Sequence, residues 1–181
     1  QNFGISARTL LKKGDRPYWK ERIYKNALAF NPHFVIIKLG TNDIKPGNWK
    51  HKGEFAADLK ALVTSFQTLP SKPAVLVAYP VPVQKPRWGM TEQNITEGVM
   101  PYVKQVAADM KLGIVDFHAA VPADKKYFAD GIHPNADGAK LMAGEAFKAL
   151  KAKGIKAKPA ATKTENSALI PKPKLERDFY D

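Results

Sequence analysis

The sequence predicts an α/β fold: a three-layer, doubly wound parallel sheet covered by helices on both faces. Two observations predict it. Three short apolar runs, Phe34 to Leu39, Ala74 to Tyr79 and Gly113 to Phe117, are bounded by Pro, Gly or Asn and partly β-branched or aromatic, as buried strands are. Between and after them, apolar residues recur every three to four positions, as on helices that cover a sheet. Strands that alternate with helices of this length are joined by crossovers, and crossovers make the sheet parallel.

Taken in order, Tyr18 to Phe30 reads as a helix that stops before Asn31-Pro32, since a residue ahead of proline is pushed out of helical geometry. The first strand follows at Phe34. Phe55, Leu59, Leu62, Val63 and Phe66 mark a second helix, closed by Leu69-Pro70. After the Ala74 to Tyr79 strand, Val99, Val103, Val106, Ala107 and Met110 mark a third, and Gly113 suits its exit. The last helix runs from about Ala136 through Leu141, Met142, Phe147 and Leu150, ending near Gly154. From Lys151 the composition turns to Lys, Pro, Ala and Thr. Residues 1–153 are therefore assigned to the domain and 154–181 to a basic linker, with the apolar residues from Leu169 onward reading as the start of a second module.

The composition narrows the function. At 181 residues the chain has room for one domain with a substantial core. No run approaches the roughly 18 apolar residues of a membrane span, and no basic-then-apolar leader is visible at Gln1. The absence of cysteine excludes disulfides and thiolate chemistry without fixing a compartment. The net charge of +12 comes from lysines scattered over helices, loops and the tail. They form no phosphate-tracking stripe, so no nucleic-acid partner is expected; any preference for acidic polymers would be salt-sensitive.

In sheets of this kind ligands gather beyond the carboxyl ends of the strands. Asn42 lies just past the first strand, the loop Pro80 to Thr91 with Trp88 past the second, and Asp130 and His133 beyond the third. Asp130-Gly131-Ile132-His133 has the spacing of a carboxylate that orients an imidazole base. It can equally be a plain turn leading into the helix start Pro134-Asn135. Gly40-Thr41-Asn42-Asp43 offers an amide donor in Asn42, or a turn that ends the strand. Asp43 is assigned to local turn bonding, and Asp116 to structural hydrogen bonding at a strand end. His33, His51 and His118 have no metal-like spacing.

These fragments, with the opening Asn2-Phe3-Gly4-Ile5-Ser6-Ala7-Arg8-Thr9, resemble three of the four blocks of the GDSL-type esterases, or SGNH hydrolases, in the family's order over roughly residues 1 to 150. The resemblance, closest to the carbohydrate acetylesterase branch, implies a flavodoxin-like sheet of order 2-1-3-4-5. It also implies a Ser-His-Asp mechanism with no metal or organic cofactor. His133 would be the base, Asp130 its orienting acid, and Asn42 with the main-chain N–H of Ala7 the oxyanion donors. Ala7 stands where the family has Gly, a departure that matters only if the backbone there has positive φ.

The larger departure is the Gly-Asp-Ser block. It is not found here, and neither Ser6, Ser65, Ser71 nor Ser167 suits a nucleophile. The domain is therefore expected to be incomplete, without the family's first strand, first helix and most of its second strand. Such a loss would cost on the order of 10 kcal/mol and leave Phe34 to Leu39 as an open apolar edge. Another segment, or another copy of the same protein, would complete the sheet, through a tandem or a permuted arrangement.

The implied substrate is a small-molecule or carbohydrate ester, with Trp88 and Trp49 as sugar-stacking candidates unless they pack beneath their own loops. By the same resemblance a secreted or periplasmic location is compatible. Two other readings stand beside the esterase: an inactive carbohydrate-binding module derived from the fold, and an architectural segment of a larger protein.

Overall fold

The computed structural model describes residues 1–154. The linker and second-module readings, and Ser167, lie outside the described residues. The sheet has three parallel strands, β1 (Phe34–Ile37), β2 (Ala74–Tyr79) and β3 (Gly113–Asp116), in the order β1-β2-β3. Register runs from Phe34 opposite Ala74, and from Leu76 opposite Gly113. The helices are α1 (Arg22–Ala29), α2 (Pro46–Trp49), α3 (Phe55–Gln67), α4 (Met100–Asp109), α5 (Phe117–Ala120) and α6 (Ala136–Ala152).

The period-2 geometry of β2 divides the core in two. Val75 and Val77 pack with Leu59, Leu62, Val63 and Phe66 of α3 and with Val103, Val106 and Ala107 of α4. Leu76 and Ala78 point the other way, into a cluster with Val115, Phe117 and, from α6, Leu141 and Met142. The result is helix, sheet, helix. A strand buried on both faces reads as a continuous apolar run, which is why β2 was legible without alternation.

Three local differences have physical causes. The first expected helix is interrupted. Tyr18–Lys20 forms a 3-10 turn, and α1 begins only after Glu21, whose extended backbone lets its carboxylate take the Arg8 Nε–H at 2.7 Å. The third begins early, as a π-helical turn at Asn94–Val99, where Gly98 leaves room for the Trp49 ring. β3 stops at Asp116 because that side chain accepts the Ala119 N–H at 2.8 Å and starts α5. The short helices α2 and α5 are too brief to carry a readable period.

Among the described residues no strand pairs with the outer edge of β1. Along that edge runs a hollow of about 620 Å³, bounded by residues 1–8 on one side and by residues 34–42 on the other. Phe34, Val35 and Ile36 are only half-buried there, whereas Val75 to Ala78 of β2 are buried. Among the described residues no helix is long and apolar enough to cross a membrane.

Candidate active site

The loop between β3 and α6 is shaped by Asp130. Its Oδ1 accepts the backbone N–H groups of Ile132 and His133, at 3.0 and 2.9 Å, and its Oδ2 lies 2.9 Å from His133 Nδ1. One carboxylate thus folds the turn and fixes the ring, leaving Nε2 as the ring's outer nitrogen. Burial pushes the Asp130 carboxyl up, but the hydrogen bonds from His133 and Ile132 outweigh it and hold it down at about 2. The loop is stitched to the one after β2, where Gln84 and Lys85 donate their N–H groups to the Gly131 carbonyl at 2.9 and 3.2 Å. Gly131 has φ +89°, and a side chain there would meet Lys85 Cβ at 2.5 Å. Asn135 caps α6 by accepting the N–H groups of Asp137 and Gly138, so the loop ends where the helix begins.

Asn42 and Ala7 line the same hollow as His133. Gly40, at φ +121°, turns the chain off β1 where a Cβ would strike Val99 at 2.7 Å. The Asn42 carbonyl accepts the Asn48 side-chain amide at 2.9 Å, while its own side-chain amide has no partner among the described residues. Asp43 corrects the expectation of local turn bonding. It is fully buried and reaches the N-terminal segment, accepting the N–H groups of Leu10 at 3.1 Å and Leu11 at 2.7 Å. Burial raises its carboxyl to about 6 against these hydrogen bonds. Asp58 of α3 repeats the device on the Lys12 N–H at 2.8 Å. The two carboxylates hold the stretch that follows Ala7, and Ala7 itself sits at φ +61°, the conformation in which its Cβ is a cost.

The chain matches the profile of the GDSL-like lipase/acylhydrolase family over residues 1–141. It belongs to that family. An acetylxylan esterase of Xylanibacter ruminicola is 42% identical over 161 residues, 79% of this chain but 34% of that protein. A multidomain esterase of Ruminococcus flavefaciens is 27% identical over 116 residues, 62% of this chain and 15% of that protein. The chain therefore spans about a third or less of the length of these curated relatives. Among solved structures, the carbohydrate acetylesterase Est24 of Sinorhizobium meliloti superposes with a TM-score of 0.65 at 26% identity, over 83% of this chain and 76% of that one.

For a GDSL-like hydrolase domain, the remaining expected residues fall unequally. Trp88 is half exposed and, although it is not among the residues lining the hollow, its ring stands edge-on to His133 at 6.4 Å between centroids. The Arg87 guanidinium covers one ring face at 4.0 Å. Trp49 does not join it, which corrects its assignment as a stacking residue. Its indole packs against Phe55 and Tyr102 at 5.8 and 6.3 Å rather than against His133. The Ser65 and Ser71 hydroxyls donate to the carbonyls of Leu62 and Pro32. Of the described serines, Ser6 alone lines the hollow.

Sequence reading assigned no role to Arg87, whose Nη1 lies 3.0 Å from Asp130 Oδ2. A cation adjacent to a rim tryptophan, in a loop confined by prolines, was the available signal. Nor did it assign one to Glu92. That carboxylate links the His118 ring, at 2.6 Å, to the Val83 N–H at 2.7 Å and fastens the same loop to α5.

Proposed function

We propose that these residues form the base-and-oxyanion portion of a carbohydrate ester hydrolase that deacetylates its substrate. The attacking serine would be supplied by a strand, from sequence outside residues 1–181 or from a second copy, that fills the hollow beside β1. One observation carries the reading: an unpartnered Asn42 amide, the Ala7 backbone and an imidazole held by Asp130 line a single hollow along an open strand edge. A strand laid parallel to β1 in that slot would end among these three groups. The substrate class is supported by the acetylxylan esterase relative. Residues 1–153 would form the domain fragment and 154–181 the link to a further module.

In this reading the serine hydroxyl attacks the acyl carbon while His133 Nε2 takes its proton. The carbonyl oxygen becomes an oxyanion held by the Asn42 amide and the Ala7 N–H. Collapse breaks the C–O bond, and the proton on His133 passes to the departing sugar oxygen. Water, deprotonated by the same nitrogen, then releases the acid and regenerates the serine.

The test is acetate release from acetylated xylan by the protein at its full encoded length. His133→Ala should lower kcat by about 10²–10⁴-fold, and Asn42→Ala by about 10²–10³-fold. The rate should fall toward acid pH, because an imidazole that already carries its proton cannot act as base. A flat rate down to pH 4 would remove His133 from its role. Sugar binding without turnover would establish the second reading, a binding module, which the strained Ala7 and the bonded serine hydroxyls favour.

A further inference from the structure

The Arg87 side chain is a component of the site that neither the fold nor the dyad requires. Its Nη1 and His133 Nδ1 meet the same oxygen of Asp130, at 3.0 and 2.9 Å. It is no loosely placed surface cation. The turn that carries it is closed by the Arg87 N–H to the Met90 carbonyl at 3.3 Å and the Met90 N–H to the Arg87 carbonyl at 2.9 Å. Its guanidinium lies over the Trp88 ring at 4.0 Å, and that ring meets the His133 ring edge-on. Gly89, at φ +76°, lets the turn press on Pro46, whose Cδ a side chain would meet at 2.6 Å. Cation, indole, imidazole and carboxylate therefore form a closed ring of contacts.

We propose that Arg87 is a positioning residue, sharing one oxygen of Asp130 with His133 so that its charge sets the pH at which the imidazole becomes available as a base. A carboxylate oxygen that already accepts from a guanidinium attracts an imidazolium less, and the cation itself opposes a second positive charge nearby. Both effects favour neutral His133. The other charged groups around it are Lys85, whose loop touches Gly131, and Arg8 and Lys38, which line the same hollow. Arg8 is paired with Glu21, and Lys38 has no ion-pair partner among the described residues, so none of the three supplies a carboxylate that would offset Arg87. The word base depends on the hydrolase reading; the effect on His133 protonation does not.

The experiment is an NMR titration of the His133 ring in the protein at its full encoded length, alongside the pH profile of kcat/KM on a small acetate ester. The Arg87 side chain is 43% exposed, so Arg87→Met leaves no core cavity. Its expected result is a rise of about half a pH unit in the His133 midpoint, with the acidic limb of kcat/KM moving equally, because the charge is partly screened by water. Arg87→Lys, which keeps the charge and loses the fork, should recover most of that shift. An unchanged or lowered midpoint in Arg87→Met overturns the proposal, as does Arg87→Lys behaving like Arg87→Met. A shifted midpoint in a protein without ester turnover sustains the effect on His133 and overturns the hydrolase reading instead.

Discussion

Asp130 and His133 are laced to the loop after β2 by two backbone hydrogen bonds, an arginine and a tryptophan. Asn42 and Ala7, which line the same hollow as His133, belong instead to the region of a strand whose outer edge meets no other among the described residues. The strands behind them differ in the same way. Phe34-Val-Ile-Ile and Val75-Leu-Val-Ala are both apolar runs of four, yet the second is buried throughout and the first only at Ile37. A run that apolar is written for the inside of a sheet, since edge strands are ordinarily blunted by charge, proline or a bulge. The Asp130–His133 pair is held by contacts on every hand, whereas Asn42 and Ala7, the oxyanion donors of the proposal, border a strand edge unpaired among the described residues.

The largest effect that would break this contrast is the filling of the slot. A strand that buries several apolar side chains against β1 should stabilise the domain by on the order of 10 kcal/mol. The protein at its full encoded length should therefore unfold at a much higher urea concentration than residues 1–154 alone. Amides of Phe34 to Ile37 should exchange as slowly in it as those of Val75 to Ala78. Equal urea midpoints, or fast exchange confined to β1 in the full-length protein, would mean that β1 is an edge strand by nature.

A smaller effect sharpens the contrast, because the segment that carries Ala7 is held by a carboxylate at a distance. Asp43 titrates at about 6 in the fold and at its ordinary 3.8 when unfolded. Between those values the folded state keeps a proton that the unfolded state has released. The Asp43 contribution to stability is therefore fully present below about pH 4 and is lost as pH rises through 6, by on the order of 3 kcal/mol. Asp43→Asn should flatten that decline, as read from urea midpoints between pH 4 and 7. Asp130, held down at about 2, acts in a separate window: its contribution is present above about pH 4 and is lost as pH falls toward 2. An undiminished decline in Asp43→Asn would place the titrating group elsewhere.

The two pairs were also unequally legible in the sequence. Three apolar runs and three helical periods fixed the layers, because burial on both faces of a strand writes itself into consecutive residues. The Asp130–His133 pair was legible because its partners lie three residues apart and bond within one turn. Asp43 was misjudged because its partners, Leu10 and Leu11, lie more than thirty residues away. Trp49 reads as a loop residue at the site face, while the rings it packs against, Phe55 and Tyr102, belong to α3 and α4. Side chains that bond locally announce themselves; those that bond across the fold do not.

Ala7 supplies the smallest and most pointed test of the contrast. Its φ of +61° is one that glycine adopts freely, and a Cβ there costs on the order of 1 kcal/mol. The conformation persists because the Leu10 and Leu11 amides that follow are fastened to buried Asp43, and Tyr18 holds the Phe3 carbonyl at 2.9 Å ahead of it. If Ala7 is strained in a frame built by its neighbours, Ala7→Gly should stabilise the protein by a few tenths of a kcal/mol, about 1 kcal/mol of relieved strain slightly exceeding the added freedom of the unfolded chain. It should leave kcat within about twofold, since glycine carries the same N–H donor. A clear loss of stability on this substitution would mean that residue 7 is not left-handed in the full-length protein, and the proposed oxyanion donor would then have to be sought in a different main-chain group.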